Sequence, residues 1–256
     1  MNSVVYQDLK VDVYLDKQAA GNVGAALAAQ EIQAMLTCRT EVAAVFASAV
    51  SQDPFLAALR TYRDVDWNRV TIFHLDEYAG MSPEHPASFR RFLKERLLDY
   101  IPAHAFHQLN GQAKDLQAEC KRYAALLQNA QPGLVAMGIG ENGHVAFIDP
   151  HSCKFNDLED VRLVELDNAC RLQQVHDGAF RQVDDVPSLA LSLTIPPLLR
   201  IPRALVFVNG IAKSAAVEAA LEGPISEQCP ASALRQHPNA RMFLDREAAA
   251  RLNSFS

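Results

Sequence analysis

The sequence predicts an α/β protein: a doubly wound, mostly parallel sheet with helices on both faces, in three Rossmann-like layers. Short runs rich in β-branched residues alternate with longer helical stretches along the chain, as in successive βαβ units. Several of these runs are apolar throughout, as expected of strands buried on both faces. A chain of 256 residues with 49% hydrophobic residues suits one large domain. We therefore treat 1–256 as a single domain.

The predicted elements follow one another in alternation. The expected strands are 11–15, 42–46, 70–73, 134–138, 162–166, 189–193, 204–208 and 241–244. The expected helices are the alanine-rich 18–36, one that begins at Asp53-Pro54, one after Pro86, and 114–128, 212–221 and 231–236. Aspartate as N-cap followed by proline is typical of a helix start. Segments 142–160 and 172–188 read as irregular, and we expect site walls or a lid around 142–188.

Composition excludes several classes of function. The net charge is −6, so we expect neither a nucleic acid nor a membrane as partner. No apolar stretch reaches the roughly 18 residues of a membrane span, and the N-terminus lacks a secretory signal. Five cysteines without CxxC spacing indicate free thiols and no metal site. These features favour a cytoplasmic enzyme, and a homo-oligomer is compatible with the sequence.

Ligands of open α/β sheets bind beyond the carboxyl ends of the strands, so the residues there are the site candidates. After strand 42–46 come Ser48, Ala49, Ser51 and Gln52, small and polar residues that suit a phosphate or a capping turn. Lys213 follows strand 204–208 at a predicted helix start. Lysine is unfavourable at that position unless an anion binds there.

Two further strand ends carry titratable groups. Asp76 and Glu77 follow strand 70–73, where a buried carboxylate needs a partner or a catalytic task. After strand 134–138, Gly140 and Gly143 precede His144, and Asp149 lies five residues further on. Glycines allow sharp turns and close approach to a ligand, and a carboxylate can orient an imidazole ring. These residues predict acid–base chemistry.

A fourth cluster, Cys170 to Asp177, contains Arg171 and His176. It reads either as a surface turn or as a lid that brings Arg171 or His176 towards an anion.

The sequence resembles the glucosamine-6-phosphate deaminase (isomerase) family, whose superfamily includes 6-phosphogluconolactonase. "FHLDEYAGMSPEHPASF" is similar to the family's Asp-Glu-Tyr segment with its downstream His-Pro-x-Ser, and "GIGENGHVAF" to its glycine-rich histidine segment. "NGIAKSAAVEAALEG" and "PASALRQHPNARMFLD" resemble its phosphate-lysine helix and C-terminal end. The resemblance spans about residues 20–245.

The resemblance implies a reaction and roles for these residues. The reaction is the conversion of glucosamine 6-phosphate into fructose 6-phosphate and ammonia, and it implies neither a metal nor an organic cofactor. Asp76 matches the base that moves a proton from C2 to C1, and His144 matches the residue that opens the sugar ring. Asp149 matches the acid that orients His144, and Asn142 is the other polar member of that cluster. The implied phosphate-binding residues are Ser48, Ala49, Ser51, Gln52 and Lys213.

Some positions depart from the family pattern. Asn142 stands where many deaminases have aspartate, so it cannot share a charge with His144. Asp149 replaces a glutamate and is one methylene shorter, so we expect its contact with His144 to need either a backbone shift or a bridging water. The phosphate loop lacks paired glycines, and the phosphate arginine has no clear equivalent. By spacing, Arg171 or His176 takes its place.

Two other functions remain open. A 6-phosphogluconolactonase would use the same scaffold, but lactonases tend to have arginine where this chain has Tyr78, and Thr-Ala-Ser where it has Val145-Ala146-Phe147. A sugar-phosphate-binding sensor without turnover would keep the pocket and lose the chemistry. Release of ammonia separates the deaminase from both.

Overall fold

The computed structural model describes residues 2–255. Its strands are β1 (Asn2–Tyr6), β2 (Leu9–Tyr14), β3 (Val42–Phe46), β4 (Val70–His74), β5 (Asp76–Tyr78), β6 (Ala105–His107), β7 (Leu134–Met137), β8 (Val161–Glu165), β9 (Leu189–Leu193), β10 (Arg203–Val208) and β11 (Ala240–Asp245). Its α-helices are α1 (Lys17–Cys38), α2 (Asp53–Leu59), α3 (Phe89–Leu93), α4 (Leu116–Ala130), α5 (Asn168–His176), α6 (Ile195–Arg200) and α7 (Ser214–Leu221). A π-helical turn, Lys94–Leu98, continues α3.

The main sheet confirms the predicted fold class. Its strand order is β1-β2-β11-β10-β7-β3-β4-β6, and the pairings are parallel except that of β1 with β2. Successive residues of β3 belong to different hydrophobic clusters: Ala44 and Phe46 to the cluster that contains α1 and α2, and Ala43 and Val45 to the one that contains α4 and α7. Side chains of a strand alternate between faces, so helices cover both sides of the sheet.

Three strands lie outside the parallel sheet, which the sequence did not predict. They form a small antiparallel sheet in the order β5-β9-β8. The chain leaves the main sheet at Leu75, whose carbonyl accepts a hydrogen bond from the amide of Leu193 at 2.9 Å. Asp76 then pairs with Ser192. This small sheet fixes the backbone of the Asp76 segment at the carboxyl end of β4.

The prediction that 172–188 is irregular is wrong in its first part, because α5 runs through residue 176. Asp167 caps this helix and accepts a hydrogen bond from the amide of Cys170 at 2.7 Å. Its buried residues are Cys170, Gln173 and Gln174. Two polar glutamines on the buried face conceal the apolar periodicity that predicts a helix. Segment 142–160 is irregular as expected.

The five cysteines are free thiols. Among residues 2–255, no helix combines the length and the apolar character needed to cross a membrane.

A buried carboxylate anchors α3 to β5. Glu77 is fully buried, and its Oε2 accepts hydrogen bonds from the Ser88 hydroxyl at 2.8 Å and from Nε of Arg90 at 3.0 Å. The backbone amides of Phe89 and Arg90 donate to the same carboxylate. The serine of the His-Pro-x-Ser motif therefore serves the fold, because it joins the start of α3 to the strand that carries Asp76.

We expect Glu77→Gln to lower the free energy of unfolding by about 3–5 kcal/mol, because it leaves the buried Arg90 guanidinium without its carboxylate. Asp99→Asn is the matched control, since it breaks an exposed ion pair with Lys94 that is worth about 1 kcal/mol or less. Urea unfolding of both variants measures the difference. Equal losses would show that Glu77 is not an anchor.

Candidate active site

A cavity of about 270 Å³ opens at the carboxyl ends of the parallel strands. It lies where open α/β sheets bind ligands. The predicted site residues that line it come from several chain segments: Ser48, Ala49, Ser51, Asp76, Gly140, His144 and Lys213. Residues far apart in sequence therefore share one cavity, as the strand-end argument predicted.

Asp76 is a buried carboxyl group that has no hydrogen-bond partner for its side chain in the described part of the chain. Burial raises its pKa well above the ordinary value, and the neighbouring charge of Glu77 raises it further. Glu77, by contrast, is occupied by Ser88 and Arg90. Of the two adjacent acids, Glu77 therefore stabilises the fold, whereas Asp76 lines the cavity with an unbonded carboxyl group.

His144 is held by a chain of hydrogen bonds. Its Nδ1 lies 2.7 Å from Oδ1 of Asn142 and 3.3 Å from Oδ1 of Asp149. The Asn142 amide nitrogen donates to Oδ1 of Asp149 and to Oδ2 of Asp167, each at 2.9 Å. Of the two expected ways for the shorter Asp149 side chain to reach His144, a bridging water is not needed, because the two side chains are in direct contact.

This arrangement fixes the tautomer of the neutral His144 ring. An amide nitrogen only donates, so the two carboxylates hold the Asn142 nitrogen on their side and turn its oxygen towards His144. That oxygen accepts, so Nδ1 of His144 must carry the proton. Nε2 then has a free lone pair, and it has no partner within residues 2–255. Asn142 thus couples His144 to two carboxylates without being charged itself.

Asp149 stays ionised in this network. Burial alone would raise its pKa, but hydrogen bonds from His144, Asn142 and the backbone amide of Asp167 outweigh burial and lower it. Sequence reasoning missed Asp167. Aspartate directly before a helix is a typical N-cap, but Asp167 could not be recognised as one because α5 itself was not predicted.

Gly140 and Gly143 shape the loop for different reasons. A Cβ at Gly140 would lie 2.1 Å from Cε1 of His144, so the imidazole ring packs directly on the glycine backbone. Gly143 has a φ of +83°, a left-handed conformation that favours glycine, and it does not line the cavity. Gly140 leaves room for the His144 ring, and Gly143 allows the turn of the backbone directly before His144.

Polar atoms without a hydrogen-bond partner among residues 2–255 also line the cavity. Nζ of Lys213 and Oγ of Ser48 are buried without a hydrogen-bond partner in the described structure. Burial lowers the pKa of Lys213 despite the opposing charges of Asp177 and Glu141. Gln52 lies behind the cavity lining and donates to Oγ of Ser51 at 3.2 Å. A buried ammonium group without a partner costs folding free energy, so the part of the cavity next to Lys213 suits an anion.

Arg171 and His176 do not line the cavity, so the structure does not support either as the replacement for the phosphate arginine. Nη2 of Arg171 donates to the carbonyls of Val183 and Val186, at 2.7 and 3.1 Å. His176 is largely exposed, and its Nδ1 lies 3.3 Å from Glu141. Because this stretch is helical, its residues point in different directions, and α5 presents Gln173 and Gln174 to the cavity instead.

Arg96 also lines the cavity, and sequence reasoning missed it. It lies in the π-helical turn after α3, next to α2 in space. No motif marks it, because its position depends on how two helical segments pack.

Two groups of side chains present possible metal ligands within 4.8 Å of one another: His144, Asp149 and Cys170, and Asp149, His151 and Asp167. The hydrogen bonds of Asn142 and the Asp167 amide already account for the positions of His144 and Asp149 in these groups.

Comparisons with known proteins agree with this geometry. Residues 15–243 match the family model described as glucosamine-6-phosphate isomerases/6-phosphogluconolactonase. The chain is 37% identical over 184 residues to a glucosamine-6-phosphate deaminase of Bacillus cereus (strain B4264), covering 72% of this chain and 68% of the relative. It is 34% identical over 188 residues to one of Lactobacillus delbrueckii subsp. bulgaricus (strain ATCC BAA-365 / Lb-18), covering 73% and 78%.

Solved structures give the same picture. A monomeric glucosamine-6-phosphate deaminase superimposes with a TM-score of 0.85 at 29% identity, covering 94% of this chain and 98% of that one. A 6-phosphogluconolactonase from Trypanosoma brucei has a TM-score of 0.78 at 18% identity, covering 94% and 98%, and shares the fold. The chain belongs to the family of glucosamine-6-phosphate isomerases and 6-phosphogluconolactonases.

Proposed function

We propose that this protein converts glucosamine 6-phosphate into fructose 6-phosphate and ammonia. The observation that carries the proposal is that one cavity contains an unpaired buried lysine, a free buried carboxyl group and an oriented histidine: Lys213, Asp76 and His144. Relatives named glucosamine-6-phosphate deaminase, 34% and 37% identical, support this substrate.

The phosphate group of the substrate binds at the Lys213 end of the cavity. Nζ of Lys213 and Oγ of Ser48 gain there the partners that they lack in the free protein. Oγ of Ser51, which also lines the cavity, adds a third polar atom. Binding the phosphate away from the reacting carbons holds C1 and C2 near the catalytic groups, so binding energy is used for orientation.

His144 opens the sugar ring. Its free Nε2 takes the proton of the C1 hydroxyl and returns a proton to the ring oxygen, which breaks the bond between C1 and that oxygen and gives the open-chain aldehyde. While the ring carries this proton, Asp149 and Asn142 stabilise the imidazolium through Nδ1. Proton transfer by a positioned histidine contributes roughly 10²–10⁴-fold to a rate.

Asp76 transfers the proton from C2 to C1. Its carboxylate removes the C2 proton of the aldehyde while O1 takes up a proton from solvent, which gives an enolamine. Asp76 then delivers the C2 proton, or a solvent proton that has exchanged with it, to C1, and the amine nitrogen releases a proton. The product is an imine at C2, which water hydrolyses to the ketone and ammonia. Because burial raises the pKa of Asp76, its ionised form is a stronger base than a solvated aspartate.

An ammonia-release assay tests the proposal, with glucosamine, galactosamine and mannosamine 6-phosphates as substrates and 6-phosphogluconolactone alongside. We expect ammonia and fructose 6-phosphate from glucosamine 6-phosphate, and no lactone hydrolysis above the spontaneous rate. Lactone hydrolysis without ammonia would identify a lactonase. Binding of these sugar phosphates without turnover would identify a sensor.

We expect Asp76→Asn to lower kcat by roughly 10²–10⁴-fold and to leave KM within a few-fold, because the base is lost while the phosphate site is intact. Exchange of the C2 proton with deuterated solvent should disappear in the same variant. A variant with nearly wild-type kcat would exclude Asp76 as the base.

The same substitution should change how stability depends on pH. The folded protein raises the pKa of Asp76, so the stability present below the unfolded pKa is lost as the pH rises through the folded pKa. Asp76→Asn removes this loss, so the variant should gain stability relative to the wild type as the pH rises above the ordinary carboxyl pKa of about 4. Urea unfolding over a series of rising pH values measures the gain, and a difference that does not change with pH would contradict the raised pKa.

A further inference from the structure

We propose that Arg96 is the second phosphate-binding cation of this site and takes the place of an arginine on α5. The inference rests on the proposed function only in that the ligand is a phosphate ester. A phosphate dianion carries about two negative charges near neutral pH, and Lys213 supplies one positive charge. Neither Arg171 nor His176 lines the cavity, whereas Arg96 does.

Arg96 is held next to the serine segment that supplies proposed phosphate-binding residues. Its Nε donates to Oδ1 of Asp53 at 3.0 Å, and Asp53 directly follows the segment Ser48–Gln52 in the chain. Phe92, like Arg96, lines the cavity. Cζ of Arg96 lies 5.2 Å from the centre of the Phe92 ring, a distance at which a cation and a ring attract. Asp53 and Phe92 hold the guanidinium at the cavity wall.

The guanidinium keeps donors available for a ligand. Nε is bonded to Asp53, and Nη1 lies 3.6 Å from a Glu95 carboxylate oxygen in a long ion pair. Nη2 has no partner in the part of the chain that the structure describes. Two terminal nitrogens in a planar fork suit two phosphate oxygens. The side chain of Arg96 is 43% exposed, whereas Lys213 is buried.

Arg96 also offsets an unfavourable charge. The Asp53 carboxylate next to the serine loop repels a bound phosphate, and the guanidinium neutralises it. If Arg96 served only to pair with Asp53, its loss would not weaken phosphate binding directly. The variants below therefore distinguish the ion pair from ligand binding.

The test measures the binding of inorganic phosphate by titration calorimetry and the KM for glucosamine 6-phosphate. We expect Arg96→Gln to raise both the phosphate Kd and the KM about tenfold, with kcat within about twofold, since one charge-assisted pair to phosphate is lost. Lys213→Ala should weaken phosphate binding in the same way. Arg63→Gln is the charge-matched control and should change neither constant, because exposed Arg63 does not line the cavity and within residues 2–255 its side chain bonds only the carbonyl of Tyr100.

Asp53→Asn separates the two roles, because it removes the same ion pair and leaves the cation. We expect this variant to bind phosphate at least as tightly as the wild type. Wild-type phosphate binding by Arg96→Gln, or equal weakening by Asp53→Asn, would overturn the proposal. If no hexosamine phosphate releases ammonia but phosphate binding still depends on Arg96, the proposed reaction fails and the phosphate role of Arg96 stands.

Discussion

The orientation of one neutral amide governs the candidate active site. The Asn142 nitrogen donates to Asp149 and Asp167, each at 2.9 Å, and this forces its oxygen towards Nδ1 of His144. Aspartate at position 142 would place three carboxylates together, whereas asparagine supplies a donor to two of them and an acceptor to the imidazole. His144 therefore presents its free Nε2 to the cavity, and the ring lies on the bare backbone of Gly140.

Charged side chains that stabilise the fold are hydrogen-bonded, whereas two charged side chains that line the cavity are not, in the part of the chain that the structure describes. Glu77 bonds to Ser88 and Arg90 and anchors α3, whereas the side chain of the adjacent Asp76 has no hydrogen-bond partner within residues 2–255 and has a raised pKa. Nζ of Lys213 is likewise buried with no partner among these residues. Unpaired buried polar groups cost folding free energy, and at Asp76 and Lys213 a bound substrate would supply the missing partner.

Much of the fold and part of the site could be predicted from the sequence. Apolar strands with polar residues at their ends predicted the parallel sheet and brought Ser48, Asp76, His144 and Lys213 to one edge, where the structure has them. The failures concern residues whose placement depends on packing. The polar buried face of α5 concealed a helix, and with it the N-cap Asp167 and the true directions of Arg171 and His176. Arg96 reaches the cavity through contacts between α2 and the π-helical turn, which no local pattern records.

Nitrogen-15 NMR of the His144 side chain tests the central claim most directly, at a pH where the ring is neutral. The hydrogen-bond chain predicts a protonated Nδ1 and an unprotonated Nε2, and a shift of this balance in Asn142→Ala, which lacks the amide. A wild-type ring with its proton on Nε2, or a tautomer unaffected by Asn142→Ala, would contradict the account.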